Sequence, residues 1–169
     1  MSNQRPLALR CPLRGSRLIE ASAGTGKTFT ISALYLRLVL GHGEGDSAFS
    51  RELLPPDVLV VTFTDAATKE LRDRIRTRLT QAAEVFSDAA DHLEPTPETA
   101  LIHKLRDDSY PDPARWPDCR KKLLLAAEWM DEAAVSTIHG FCNRMLSEHA
   151  FDSGSLFKLT LETDQSELL

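Results

Sequence analysis

The stretch from Ala21 to Thr28 has the residue types and the spacing of a phosphate-binding loop. Small residues allow successive backbone N–H groups to surround a phosphate chain, and a helix that follows directs its positive N-terminal end at the same charge. In such a loop Lys27 reaches the β- and γ-phosphates, and the Thr28 hydroxyl binds Mg²⁺. The predicted site consists of Ala21, Ser22, Ala23, Gly24, Thr25, Gly26, Lys27 and Thr28.

The flanking residues support this interpretation of the loop. The general pattern G-x-x-x-x-G-K-[S/T] has Ala21 in place of its first glycine, so the match is near and not complete. A short apolar strand, Leu18 to Glu20, is predicted before the loop, and an apolar-periodic helix, Phe29 to Leu40, is predicted after it. This is the structural context that the motif requires. The alternative is a glycine-rich turn that joins a strand to a helix without binding a ligand.

A second group of candidate binding residues follows the apolar run Val58 to Phe63, which is typical of a strand buried on both faces of a parallel sheet. Ligands bind at the carboxyl ends of such strands. Thr62 and Thr64 are placed to contact phosphate oxygens, and Phe63 offers a ring on which a base can stack. The alternative is that Phe63 belongs to the core and that Thr64, or Asp65, only caps the next helix.

A third group repeats this arrangement at the end of the predicted strand Val135 to Ile138. Thr137 and His139 stand where the strand leads into a helix, and both can contact a sugar-phosphate chain. A histidine beside a glycine is more often structural than functional, so this assignment depends on the other two groups.

The helix predicted after Thr64 is rich in arginine. Its basic residues outnumber its acidic residues by two, which is compatible with contacts to a nucleic-acid backbone. The preferred interpretation is a solvated helix face with ion pairs. The basic residues are Lys69, Arg72, Arg74, Arg76 and Arg78, and the acidic residues are Asp65, Glu70 and Asp73.

The elements that position these groups alternate between strands and helices, which predicts an α/β doubly wound parallel sheet. The predicted helix after Thr64 carries an apolar stripe, and two further helices are predicted over Glu98 to Leu105 and from Pro111 to about Met130. The stripe consists of Ala67, Leu71, Ile75, Leu79, Ala82 and Phe86.

The composition is that of an ordinary globular domain: 169 residues, of which 42% are hydrophobic and 27% charged. The formal net charge of −5 gives no overall attraction to nucleic acid, so any such contact has to be local. No apolar run is long enough for a membrane span, and the N-terminus lacks the pattern of a signal peptide, which predicts a cytoplasmic protein. Three widely spaced cysteines predict reduced thiols and no zinc site.

Taken together, three segments resemble the motifs of superfamily 1 UvrD-like DNA helicases, in the same order along the chain. They are E-A-S-A-G-T-G-K-T-F-T, V-V-T-F-T-D-A-A-T-K-E-L-R-D-R-I and V-S-T-I-H-G-F-C-N-R-M-L. The resemblance extends from about Leu18 to Phe157. It places motif I at Ala21 to Thr28, motif Ia at Thr62 to Thr64, and motif Ib at Thr137 to His139.

The resemblance implies a P-loop NTPase with a RecA-like parallel sheet flanked by helices, ATP and Mg²⁺ as cofactors, and single-stranded and double-stranded DNA as substrate. The similar branch of the family works with RecC- and RecD-like subunits in double-strand-break repair. In motifs Ia and Ib it implies DNA contacts by Thr62, Phe63, Thr64, Thr137 and His139.

The resemblance also predicts an incomplete domain. Residues 1–16 form a lead-in, and residues 17–169 form the N-terminal part of helicase domain 1A, truncated before the Asp-Glu pair that holds Mg²⁺. Asp131 and Glu132 precede motif Ib and are interpreted as acids at a helix end. Without that pair, the chain alone is predicted not to hydrolyse ATP appreciably. Two alternatives stay open: a P-loop nucleotide kinase, and a non-catalytic module that binds nucleotide or single-stranded DNA.

Overall fold

The computed structural model describes residues 6–20, 26–43, 45, 48–87 and 94–149. These residues form six α-helices and a two-stranded sheet, and single 3₁₀ turns occur at Pro55–Asp57, Pro113–Arg115 and Trp129–Asp131. The elements in chain order are α1 Leu7–Arg10, α2 Lys27–Leu40, β1 Val60–Thr62, α3 Asp65–Val85, α4 Ala100–Ser109, α5 Trp116–Glu128, β2 Val135–Thr137 and α6 Ile138–Glu148.

The two strands are parallel neighbours, joined by a long connection that contains α3, α4 and α5. The register pairs Val60 with Val135 and Thr62 with Thr137. Parallel strands need a crossover of this kind, because their ends of like direction lie on the same edge. Both strands therefore end together, and each leads directly into a helix.

The core lies between α2, α3 and α5, with α4 packed beside them. Apolar side chains at helical spacing face one another there and are removed from water, which is the main force that holds the layer together. Those with 0% exposure are Ala33, Leu36, Ile75, Leu79, Ala82, Ile102, Leu105, Leu123, Ala126 and Met130.

The stripe predicted for α3 is largely confirmed. Leu71, Ile75, Leu79, Ala82 and Phe86 are buried, whereas Ala67 is exposed.

The helix predicted from Pro111 to Met130 is divided into three pieces: the turn Pro113–Arg115, α5, and the turn Trp129–Asp131. The helix predicted from Glu98 to Leu105 is α4, which begins two residues later and continues to Ser109.

Two strand predictions are corrected by the structure. Leu18 to Glu20 is not a strand, and Leu18 is 85% exposed, because no described residue pairs with this segment and a strand exists only with a partner. The strand predicted from Val58 to Phe63 is only Val60–Thr62. Leu59 and Val61 are close to half exposed, since the described residues place no layer over that face of the sheet.

The lead-in before the loop contains α1, which the sequence reasoning did not identify. Buried Arg37 of α2 holds it in place by donating from Nη1 to the carbonyl oxygens of Ala8 and Cys11, at 3.0 and 2.7 Å. Its Nε donates to His42 Nδ1 at 2.9 Å, and His42 Nε2 lies 2.9 Å from Ser109 Oγ. The lead-in is thus packed onto α2 through backbone carbonyls.

Across the described ranges, no helix combines the length and apolar character needed to cross a membrane.

Candidate nucleotide and nucleic-acid interface

The start of α2 is the part of the predicted phosphate loop that the structure describes. Gly26 precedes the helix in the left-handed conformation, with φ +82°, which disfavours any residue that has a Cβ. Its carbonyl oxygen accepts a hydrogen bond from Thr30 N–H at 2.8 Å, so the first helical turn closes immediately after the loop. Ala21 to Thr25 lie outside the described residues, and their predicted role in the loop is not tested.

The end of α2 that faces the loop offers donors suited to a phosphate. Gly26 has no side chain, so the helix begins without a side-chain cap from that residue. Lys27 is exposed and Thr28 is half-buried, one after the other in the first turn. Backbone amides, an ammonium and a hydroxyl form the donor set that a triphosphate with Mg²⁺ requires, so the described residues fit that ligand.

The first turn of α2 is anchored from behind by α3. The guanidinium of Arg78 lies over the ring of Phe29, 4.4 Å from its centroid, and it also donates to the carbonyl oxygen of Glu98. Burial lowers the pKa of Arg78, and the nearby Glu98 carboxylate opposes that shift. Ser32 Oγ donates to Phe29 O at 2.9 Å within the helix. The residues that present Lys27 and Thr28 are therefore fixed by packing.

The turn after β1 is ordered by three threonine hydroxyls. Thr64 caps α3, since its Oγ1 accepts from Ala67 N–H at 3.1 Å. Thr62 Oγ1 lies 3.0 Å from Thr64 O and 2.6 Å from Thr68 Oγ1, so the Thr62 hydroxyl is used inside the turn. Thr64 Oγ1 uses a lone pair to accept this bond, and among the described residues its hydroxyl proton has no acceptor, so it can donate to a ligand.

Phe63 stands between these two threonines and is 87% exposed, the highest exposure among the exposed large apolar side chains in the described part of the chain. The alternative that Phe63 belongs to the core is therefore wrong, although the accompanying statement that Thr64 caps a helix is correct. A ring that is held away from the core, at the end of a strand, has a face available for stacking.

The turn after β2 has the same construction. Thr137 caps α6 by accepting from Gly140 N–H at 3.1 Å. A Cβ on Gly140 would lie 3.1 Å from Thr137 Oγ1, which is tighter than ordinary van der Waals contact, so a small residue suits the cap. His139 is exposed in the first turn of α6. The register of β1 and β2 places Thr62 beside Thr137, so the two turns are neighbours.

The arginines of α3 divide into two kinds. Arg74 is exposed and pairs with Glu70 at 2.8 Å, as expected for a solvated face with ion pairs. Arg76 also forms an ion pair at the surface, with Asp131. Arg72 and Arg78 instead bond to backbone carbonyls within the fold, Arg72 through Nη2 to Val135 O at 2.8 Å. The sequence reasoning missed the roles of these two.

Asp131 is the partner of Arg76 in an ion pair at the surface. Its Oδ1 accepts from Arg76 Nη2 at 2.6 Å, at the end of the turn Trp129–Asp131. Its position at the end of a helical segment agrees with the prediction for Asp131 and Glu132.

Comparison of the sequence with known proteins points to one family. The family described as UvrD/REP helicase N-terminal domain matches residues 1–169. The RecBCD enzyme subunit RecB of Escherichia coli (strain K12) is 52% identical over 162 residues, which are 95% of this chain and 13% of that protein. The corresponding subunit of Haemophilus influenzae is 46% identical over 94% of this chain, and that of Buchnera aphidicola subsp. Acyrthosiphon pisum is 36% identical over 94%.

The chain spans only 13% of the length of these curated relatives. All three are RecB subunits, which agrees with the resemblance stated from the motifs and does not favour the nucleotide-kinase alternative.

Proposed function

Because this chain belongs to the UvrD/REP helicase family, we propose that it is the ATP-binding segment of a RecB-like DNA helicase, the exodeoxyribonuclease V β subunit type, acting in recombinational double-strand-break repair. The whole protein would couple ATP hydrolysis to movement along single-stranded DNA. Its proposed partners are RecC- and RecD-like subunits, as the names of the relatives suggest. The chain described here supplies one side of the nucleotide site and part of the DNA path.

The nucleotide site is proposed at the N-terminus of α2. Lys27 would bind the β- and γ-phosphates of ATP, Thr28 would hold Mg²⁺, and the backbone from Ala21 to Gly26 would surround the phosphates. Bound there, Mg²⁺ neutralises charge that develops on the phosphates. The left-handed Gly26 and the anchoring of Phe29 by Arg78 support this assignment, because they fix the helix end that the phosphates would meet.

The observation that carries the DNA assignment is the pair of turns at the carboxyl ends of β1 and β2. Each turn has a threonine cap whose hydroxyl proton is available, and the first also holds Phe63 with 87% of its surface exposed. We propose that Thr64, Thr137 and His139 contact the sugar-phosphate chain and that a base stacks on Phe63. Thr62 belongs to the same interface as the residue that orders the first turn.

Two binding measurements on the full 169-residue chain test this function. The first titrates a fluorescent ATP analogue in the presence of Mg²⁺ into the wild type and Lys27→Ala, with Lys121→Ala as a control for the loss of an exposed lysine. We expect binding to be lost in Lys27→Ala alone. Equal affinity of Lys27→Ala and the wild type would contradict the nucleotide assignment.

The second measurement follows a labelled oligothymidylate by fluorescence anisotropy. We expect Phe63→Ala to weaken binding by about ten-fold or more, since stacking of one base on an aromatic ring contributes about 1–3 kcal/mol. Phe49→Ala is the matched control, because Phe49 is also partly exposed, at 36%, and follows the C-terminal end of α2. If both phenylalanine variants lose affinity equally, or neither does, the proposed DNA path is wrong.

A further inference from the structure

The two turns assigned to DNA are joined by more than the pairing of their strands. Arg72 lies about two helical turns beyond the Thr64 cap, and its Nη2 donates to Val135 O at 2.8 Å. Val135 begins β2, which ends at Thr137. The helix that starts at the first turn is therefore bonded to the strand that ends at the second.

The direction of this carbonyl makes the contact specific. Val60 pairs with Val135 in register, and Val60 N–H donates to Ala134 O at 2.9 Å. Carbonyls alternate in direction along a strand, so the oxygen of Val135 points away from β1. Arg72 thus occupies the outer edge of β2, where a further strand would otherwise pair. Because Val135 is only 3% exposed, water is a poor substitute for the guanidinium.

Arg76, one turn further along α3, acts on the segment that leads into β2. Its Nη2 binds Asp131 Oδ1 at 2.6 Å, and its Nε lies 3.4 Å from Ala127 O. Among the side chains of α3 in the described residues, Arg72 is the one with a hydrogen bond to β2 itself. The two arginines therefore have different partners: Arg76 bonds to the segment before β2, and Arg72 bonds to β2 itself.

This corner also contains two buried polar atoms, Arg72 Nε and Ser136 Oγ, for which the described residues provide no hydrogen-bond partner. Folded proteins keep few such atoms, because each one forfeits a bond to water. The hydrogen bond from Arg72 Nη2 to Val135 O links the orientation of the guanidinium to the position of β2.

We propose that Arg72 is a positioning residue for DNA binding, which fixes the spacing of the turn at Thr64 and the turn at Thr137 through the carbonyl of Val135. The inference rests on the proposed function, since it assigns both turns to one DNA strand. Two turns that contact the same sugar-phosphate chain have to match its spacing together. A change in their spacing lowers DNA affinity and leaves the nucleotide site at α2 unchanged.

The test compares Arg72→Met, Arg72→Lys and Arg74→Met in the full 169-residue chain. Arg74→Met is the matched control, since it removes the same charge from the same helix where the partner is only Glu70. Three quantities are measured: affinity for a labelled oligothymidylate, affinity for a fluorescent ATP analogue with Mg²⁺, and amide hydrogen exchange over residues 135–140.

For Arg72→Met we expect DNA affinity to fall by up to about ten-fold, because the spacing of the two turns loses the support of one hydrogen bond from a charged donor. Exchange over residues 135–140 becomes faster, and affinity for the ATP analogue is unchanged. Arg72→Lys keeps a donor and recovers part of both losses. It also serves as the test variant if Arg72→Met does not fold. Arg74→Met leaves the exchange unchanged and DNA affinity nearly so.

Two results would overturn the inference: equal losses of DNA affinity in Arg72→Met and Arg74→Met, which indicate a general effect of charge, or unchanged exchange in the Arg72 variants. Failure of the proposed function gives a different result. If the wild type binds no oligothymidylate, the role in DNA binding fails with it, and the exchange data alone still decide whether Arg72 fixes the spacing of the turns.

Discussion

The N-termini of α2 and α3 have different N-cap residues. At α2 the preceding residue is Gly26, which brings a left-handed backbone and no side chain to the helix end. At α3 the preceding residue is Thr64, whose Oγ1 already accepts the N–H of Ala67 at 3.1 Å. The α6 terminus, with Thr137, is built like α3.

This difference separates two ways of meeting a phosphate. A helix end without a side-chain cap offers its backbone N–H groups to a ligand, and gains most when that ligand is an anion. A helix end with a threonine cap already has one of its first N–H groups bonded, and it offers the hydroxyl proton and the neighbouring side chains. The uncapped helix end suits a tightly bound triphosphate. The threonine-capped helix end suits a DNA strand that binds and dissociates repeatedly.

The largest effect is expected from a change that breaks the α2 terminus. Gly26→Val places a β-branched residue at φ +82°. We expect the free energy of unfolding to fall by about 1–2 kcal/mol, the cost of the left-handed backbone for a residue with a Cβ, and binding of the ATP analogue to be lost. Urea unfolding and fluorescence titration measure the two quantities.

Gly45→Val is the matched control for this prediction. Gly45 also has a positive φ, +52°, and nothing lies within 4 Å of a Cβ built there. It should lose similar stability and keep nucleotide binding. Retained binding in Gly26→Val, with the same loss of stability, would mean that the nucleotide does not lie at this helix end.

A smaller effect is expected at the α3 terminus, and on stability. Thr64→Ala removes the acceptor for Ala67 N–H, which costs about 1 kcal/mol for a helix cap of this kind. Thr64→Ser keeps the acceptor and should restore most of the loss in urea unfolding. Lys27→Ala, at the other terminus, is expected to change stability by less than about 0.5 kcal/mol, because Lys27 is exposed. If Lys27→Ala were destabilised and Thr64→Ala were as stable as the wild type, the expected difference between the two helix ends would be wrong.

The smallest effect is expected when the pH is lowered, and it acts on stability through a histidine of α4. Burial lowers the pKa of His103 in α4 from its ordinary value, Arg106 lowers it further, and Asp107 opposes the shift. The unfolded chain therefore takes up the proton first as the pH falls through about 6.5, and stability declines from there toward the lower folded pKa. Neither threonine cap titrates, so the caps do not contribute to this decline.

Urea midpoints at about pH 7.5 and about pH 5.5, on either side of the ordinary histidine pKa, measure this decline. In His103→Gln we expect the difference between the two midpoints to be smaller than in the wild type. An unchanged difference would show that the decline comes from other groups, and the buried pair of Arg37 with His42 is the next to examine.

The sequence was a better guide to the helices than to the sheet. A helix satisfies its own backbone, so the period of Leu71, Ile75 and Leu79 predicted α3 correctly. A strand depends on a partner, and Leu18 to Glu20 shows that an apolar run without one is left as a chain without strand pairing. Thr64 caps α3 as predicted, because a threonine cap acts through local geometry. Thr137 was predicted inside a strand that continues to Ile138, whereas it ends β2 and caps α6.

What the sequence determined by itself is the family, through three ordered motifs, and the presence of a helix after each motif. The helices after the first and third motifs begin earlier than predicted, at Lys27 and Ile138. Only the tertiary structure decided that Phe63 is exposed, that Arg72 bonds to the backbone of β2 and that Arg76 pairs with Asp131. It also decided that the turns at Thr64 and Thr137 are neighbours, which follows from the pairing of Thr62 with Thr137. The physical reason is distance along the chain. Caps and helical periods act over a few residues, whereas the contacts of Arg72 and Arg76 and the pairing of the strands depend on residues more than fifty positions away.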